Sequence, residues 1–186
     1  MKKMKEISLH ILDIVQNSIT AGATEIIVDV DEQVPKNRYV VEINDNGCGM
    51  DEAQLKQVDD PFYTTRTTRK VGLGLSLFKQ NAEQSGGSFH VESVKEKGTK
   101  VTAVFGFDNI DRPIMGDIAG TMTLLIGANP EIRFIYNHHT PLSDFEFDTE
   151  EAKHELEGLS INNPNVLKMI KEIILDNLEL IEAKLN

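Results

Sequence analysis

Apolar residues recur along this chain in two alternating rhythms. Between residues 6 and 21, Ile7, Ile11, Ile14, Val15 and Ser18 fall at helical spacing and predict an amphipathic helix with one apolar stripe. Asp13 and Asn17, four apart, stack on a polar face well away from that stripe. Ala21-Gly22-Ala23 ends the helix, with Gly22 as a C-cap. The period then changes to two. Ile26, Val28 and Val30 share one face of a strand over residues 25–31, and Pro35-Lys36-Asn37 turns the chain into a second strand over 38–44. A short helix over 51–58 with Asp51 at its N-cap follows. A longer helix begins after Val71 and runs to about Ser85, where Gly86 and Gly87 stop it. Residues 88–94 and 101–107 make a strand pair.

From Asp108 the signals mix. A helix is predicted over 113–127, although Gly116, Gly120, Thr121 and Thr123 weaken it. A strand over 131–137, a short strand at 145–147 and a helix over 149–157 follow. Asn163-Pro164, an N-cap with proline at the first helical position, opens a last amphipathic helix. Its stripe is Leu167, Ile170, Ile174, Leu178, Ile181 and Leu185. The pattern divides the chain into a domain over 1–107 and an α/β extension over 108–186 that packs on the first or on a partner.

Three stretches fit neither rhythm and carry the candidate chemistry. Asp45-Asn46-Gly47-Cys48-Gly49-Met50 follows a strand, so a carboxylate stands at the strand tip with flexible backbone after it. Such a stretch is either a tight turn or a place where a carboxylate accepts a hydrogen bond from an amino group such as that of adenine. Pro61 to Lys70 is hydroxyl-rich and basic, either an ordinary surface loop or one that orders over phosphates. Gly72-Leu73-Gly74-Leu75 opens a helix, where free backbone N–H groups and the helix dipole favour an anion. Asp13 and Asn17 are either a solvated polar face or a carboxylate base beside a magnesium ligand.

Composition narrows the partners. The chain has 186 residues and a formal net charge of −11, which argues against nucleic acid or an anionic membrane as partner. No apolar run approaches the roughly 20 residues a membrane span needs, and Met1-Lys2-Lys3-Met4-Lys5 leads into a run broken by charges, which is no signal peptide. A single cysteine, Cys48, excludes an internal disulfide and fits a reducing, cytoplasmic setting.

The three boxes, Asp13-x-x-x-Asn17, Asp45-x-Gly47-x-Gly49 and Gly72-x-Gly74, together resemble the ATP-binding domain shared by gyrase, the heat-shock chaperones, histidine kinases and the mismatch-repair protein MutL, the GHKL superfamily. Residues 14–24 look like the mismatch-repair helix. Residues 61–66 and 72–79 look like the histidine-kinase lid and second glycine box. Gly86-Gly87 with Gly98-Thr99-Lys100-Val101 resembles the closing strands, so the likeness covers about residues 6 to 107. It implies a two-layer α/β sandwich, a Bergerat-type ATP-binding fold whose mixed, mainly antiparallel sheet carries helices on one face. It also implies ATP and Mg²⁺ as cofactors. Asp45 would bind the adenine amine with Thr99 assisting through water. Asn17 would ligate Mg²⁺, and Gly47 and Gly49 would shape the adenine side. Gly72, Gly74 and the lid's Arg66 would serve the phosphates, and Asp13 would take the place of the glutamate base.

Departures from the family pattern qualify this. Asp13 is one methylene shorter than glutamate, which blunts a base that must sit within about 2.6–3.2 Å of its water. Lys70 stands where an earlier glycine is usual, which shifts phosphate contacts toward lysine and arginine side chains. Fewer than ten residues precede the first helix, so no phospho-accepting hairpin lies there, and transfer would be to a partner. The expected function is therefore an Mg-dependent ATPase or a protein kinase acting on Ser, Thr or His of a partner protein. The alternative is a nucleotide-gated interaction module with little turnover, its docking surface supplied by the extension. Four further residues are weighed and set lower. His138-His139 is read as a turn after a strand rather than a metal site, Cys48 as a small filler, and His10 as a weak phosphate acceptor.

Overall fold

The structure is a computed structural model and describes residues 6–56 and 73–185. Among these residues, six strands form one sheet in the order β3-β4-β2-β1-β5-β6. The strands are β1 (Glu25–Gln33), β2 (Arg38–Asp45), β3 (Ser88–Val94), β4 (Gly98–Gly106), β5 (Arg133–His139) and β6 (Asp144–Asp148). Every neighbouring pair is antiparallel except β1 and β5. The helices are α1 (Ile7–Thr20), the single turn α2 (Glu52–Leu55), α3 (Leu73–Gln84), α4 (Ile118–Ala128), α5 (Thr149–Glu155) and α6 (Pro164–Leu180). This is the mixed α/β sandwich expected from the sequence.

The core lies between the sheet and one helical layer. Alternation along β1 buries Ile26, Val28 and Val30, and β2 adds Tyr39, Val41 and Ile43 from the same face. Against them α1 sets Ile7, Ile11, Ile14 and Val15, and α3 sets Phe78 and Ala82. Then come Met122, Leu125 and Ile126 of α4, and Ile170, Ile174 and Leu178 of α6. Each such aliphatic side chain, taken fully from water, contributes about 1.5–3 kcal/mol before conformational entropy is subtracted.

Helix ends are built from the sequence in the way their glycines imply. At the end of α1, the Gly22 N–H donates to Ile19 O at 3.0 Å and the Ala23 N–H to Ser18 O at 3.1 Å, with Gly22 at φ +77°. That double bond pattern needs a left-handed residue, for which glycine has no steric penalty. α2 starts with a complete capping box, Asp51 and Gln54 each bonding the other's backbone N–H.

Two of the boundary differences from the sequence expectation have a structural cause. The helix predicted from Pro113 begins only at Ile118, with Asp117 Oδ1 accepting from the Gly120 N–H at 2.8 Å. Residues 114–116 stay out of the helix because other segments use their backbone. Ile114 O and Met115 O accept from the Ile7 and Ser8 N–H groups at 2.9 Å, and the Met115 N–H donates to Leu185 O at 3.0 Å. The strand predicted over 131–137 is shifted to Arg133–His139, so His138 and His139 lie in β5 and not in a turn. Parallel pairing with β1 sets that register, with Val30 opposite His138.

Candidate nucleotide site

Asp45 is the last residue of β2, and β4 brings Thr99 directly opposite it. The half-buried Asp45 carboxylate accepts three hydrogen bonds. Ser18 Oγ donates at 2.6 Å, the Gly47 N–H at 2.9 Å and the Thr99 N–H at 3.3 Å. Donors from a helix, a loop and a strand therefore fix its orientation. The loop after it is tied down as well. The Cys48 N–H donates to Ala21 O at 2.9 Å, and Cys48 O accepts from the Glu96 N–H at 2.7 Å. Asn46 Oδ1 accepts from the backbone N–H groups of Thr24 and Glu25 at 2.8 and 3.0 Å. Gly49, at φ +61°, lies so close to the Val94 backbone that a Cβ there would collide with it. A Cβ at Gly47 would come within 3.0 Å of both Ala21 Cβ and Asp45 Oδ1.

A second polar pair supports Thr99. Its hydroxyl is 2.8 Å from Ser93 Oγ, which also bonds Gly98 O at 3.0 Å and accepts from the Met50 N–H at 2.8 Å. Ser18 and Ser93 are absent from the sequence-derived site, yet the pattern held a signal. Ser18 ends an apolar stripe, and Ser93 ends the inward row of Phe89 and Val91 on β3. A hydroxyl at the end of a buried row needs a partner.

Asp13 and Asn17 are both exposed on α1. The first turn of α3 passes directly over Asp13, and a Cβ on Gly74 would lie 3.0 Å from Asp13 Oδ2 and 3.2 Å from its Cβ. Ser18, beside Asp45, and Asp13, beside Gly74, are five residues apart, about 7–8 Å along the helix. So α1 presents Ser18 to Asp45 near its C-terminal end and Asp13 to the first turn of α3 near its middle, with Asn17 between them in sequence. The structure brings Gly47 and Thr99 to Asp45 and Gly74 to Asp13, sets Gly49 against Val94 and Gly98, and leaves Asn17 exposed on α1 between Asp13 and Ser18. Arg66, Gly72 and the predicted lid over 61–70 lie outside the described residues.

The lesser candidates land elsewhere. His10 is fully buried, stacked on Phe78 at 4.9 Å between ring centres, with Nε2 2.8 Å from Asn81 Nδ2. Burial pushes its pKa from 6.5 down to about 4, so it is a neutral core residue and not an accessible phosphate acceptor. Cys48 is exposed, not a filler. His138 is buried, its Nε2 2.9 Å from Glu32 Oε1, while His139 is 2.8 Å from Asp144 Oδ1 on the outer face. Among the described residues no group of three or more His, Cys, Asp or Glu side chains is disposed to hold a metal. Two open apolar grooves of about 400 and 440 Å³ run between α1, α4 and α6, and none of the site residues lines either. Among the described residues no helix is long and apolar enough to cross a membrane.

Known proteins resemble this chain in sequence and in fold. Residues 4–109 match the family model described as histidine kinase-, DNA gyrase B-, and HSP90-like ATPase. A putative sensor protein of Shewanella frigidimarina is 35% identical over 103 residues, 54% of this chain and 16% of that protein. Sporulation kinase E of Bacillus subtilis is 32% identical over 97 residues, 52% of this chain and 13% of that protein. The chain thus spans under a fifth of the length of these relatives. The crystal structure of the N-terminal domain of a DNA repair protein superposes with a TM-score of 0.55 at 18% identity, covering 78% of this chain and 52% of that one. That likeness is one of fold.

Proposed function

The chain belongs to the histidine kinase-, DNA gyrase B-, and HSP90-like ATPase family, and from that premise we propose that it binds ATP with Mg²⁺ and either hydrolyses it or passes its terminal phosphoryl group to a partner protein. The observation that carries this reading is the held carboxylate of Asp45. Ser18, Gly47 and Thr99 donate to it, and the half-buried group is left free to accept the exocyclic amine of adenine. An analogue without that amine would leave the carboxylate unpaired, which is the basis of base selection.

The residues present fit the groups assigned to them. A Cβ at Gly47 would come within 3.0 Å of Asp45 and one at Gly74 within 3.0 Å of Asp13, so both glycines keep backbone close to the two carboxylates beside which base and phosphates would lie. Mg²⁺ takes hard oxygen ligands, usually one or two from the protein with the rest from phosphates and water, and the exposed Asn17 amide is such a ligand. Bound there, the ion would neutralise charge on the phosphates during transfer. Asp13 would orient the attacking group. A reducing cytoplasm, where ATP is abundant and the exposed Cys48 stays a thiol, belongs with this reading.

One observation favours a second reading, a nucleotide-gated interaction module. The Asp13 carboxylate is drawn back against the first turn of α3, and its side chain is short, so a base at this position reaches less far than a glutamate. Slow turnover would then leave ATP as a ligand that shifts a conformational population. Calorimetric titration with ATP and ADP, with and without Mg²⁺, followed by a turnover and transfer assay on the same sample, tests both. Failure of ATP to saturate the folded protein at millimolar levels sinks both readings. Turnover that vanishes in Asp13→Ala supports the enzyme. Tight binding with no phosphate release or transfer supports the module.

A further inference from the structure

We propose that the outward face of α6 docks a basic amphipathic helix of a partner protein. This goes beyond the nucleotide reading and does not rest on it. The inward stripe of α6, with Val166, Ile170, Ile174 and Leu178, is consumed by the core. A second apolar set remains on the surface: Met169 is 56% exposed, Ile173 43% and Leu180 74%. At about 100° per residue these three fall within an arc of about 40°, a continuous stripe roughly 16 Å long.

Asp176 decides what can cover the stripe. It lies between Ile173 and Leu180 along the helix and about 20° from Met169 around it, so any occupant of the stripe covers it. Glu172 and Glu179 flank it on the same side, both exposed. Among the described residues, Asp176 and Glu179 form no ion pair, and Glu172 meets only the exposed Lys168, at 3.8 Å.

A purely apolar partner would bury the Asp176 carboxylate without a counter-charge, which is unfavourable. A second copy of this chain fares no better. Antiparallel pairing that sets Met169 against the other copy's Leu180 also sets Asp176 against its Ile173, and each copy carries −11. A helix with leucine-like residues at helical spacing and Lys or Arg beside them satisfies both features, its apolar side on the stripe and a cation on Asp176.

The test uses the full chain and a fluorescein-labelled helix of about 18 residues made only of Leu and Lys, with a Leu/Glu counterpart as control. Anisotropy titrations are run on the wild type, Asp176→Lys, Ile173→Glu and Glu146→Lys. Glu146 is an exposed acid on β6, so its variant makes the same charge change elsewhere. All three positions are exposed, and circular dichroism verifies each fold. The Leu/Lys helix is expected to bind and the Leu/Glu helix not to. Asp176→Lys and Ile173→Glu should each weaken binding by about tenfold or more, and Glu146→Lys by less than about twofold.

Absence of binding overturns the proposal. So does a loss in Asp176→Lys no greater than in Glu146→Lys, which would mean bulk charge alone. Sedimentation showing a self-associated chain that Ile173→Glu dissolves would assign the face to a second copy and overturn it as well.

Discussion

Two carboxylates near the ends of neighbouring strands are treated in opposite ways. Asp45, at the end of β2, is half-buried, held by three donors and still open on one side. Glu32, on β1, is sealed. Its Oε1 accepts from the Lys184 N–H at 2.6 Å and lies 2.9 Å from His138 Nε2, and His138 Nδ1 is 2.7 Å from the Tyr136 hydroxyl. Glu32, His138 and Tyr136 are all buried. The first arrangement suits the proposed site: its donors fix an acceptor that has capacity left. The second is a seam: its bonds tie β1 to β5 and to the chain following α6. The difference teaches that an acid's neighbours, more than its burial, separate a binding group from a structural one.

The seam gives the largest expected effect. Replacing Glu32 by Leu leaves the Lys184 N–H and His138 without their acceptor inside the protein. It should destabilise the fold by about 3–5 kcal/mol, read by urea denaturation. The affinity of the remaining folded protein for ATP should change by less than about twofold, since Glu32 does not reach the site. A loss of ATP affinity comparable to that of an Asp45 variant would end the distinction between seam and site.

His10 sharpens the comparison, because it is sealed yet lies on the helix that carries the site. Burial depresses its pKa to about 4 from an unfolded value near 6.5. Between these values the unfolded chain holds more protons than the folded one. The stability this group confers is thus complete above about pH 6.5 and drains away as pH falls toward 4, by about 3 kcal/mol in all. Urea unfolding at several pH values should show that decline in the wild type and a flatter one in His10→Gln. Equal slopes in the two proteins would show that His10 is not held neutral by the α1–α3 contact with Phe78.

The open acid is probed by Asp45→Asn. The amide keeps the shape but loses the charge that strengthens a bond to adenine, a change worth about 1.5–3 kcal/mol, or roughly tenfold to a hundredfold in affinity. Calorimetry should show that loss for ATP while the urea midpoint moves little. A variant with unchanged affinity but a collapsed midpoint would mean that Asp45 is a seam residue too.

The seam and the site also differ in how far the sequence discloses them. Local periodicity places the α1 stripe and the alternation of β1, because burial there follows residue spacing within one segment. The candidate site's acid, amide and glycines stand out in the sequence because their spacing is local and chemically unusual. What stayed hidden depends on distant partners. Ser18 and Ser93 gain meaning only when β2 and β4 bring Asp45 and Thr99 beside them. The late start of α4 follows from bonds that residues 114–116 make with the start of α1 and with Leu185. Nothing local marks His138 as a strand residue, because only the parallel register with β1 carries it into the sheet interior beside Glu32.

His139, next in sequence to a seam residue, provides the smallest and most discriminating prediction. Alternation along β5 turns it to the outer face, where its Nδ1 is 2.8 Å from Asp144 Oδ1 and its Nε2 3.6 Å from Asp29 Oδ2. Partial burial lowers its pKa, but the Asp144 hydrogen bond and the charges of Asp29, Asp144 and Asp31 outweigh that and raise it overall. The sign is therefore opposite to that of His10. His139 adds stability that is complete below about pH 6.5 and is lost as pH rises through its elevated folded value. Its side chain is 39% exposed, so solvent and salt screen the pair, and the contribution should stay below about 0.5 kcal/mol. Comparing His139→Gln with the wild type at pH 5.5 and 8.5 should show a deficit only at the lower pH, shrinking in high salt. A deficit of the same size at both values would mean that His139 acts by packing rather than by charge, and that one step along β5 does not separate the interior from the surface.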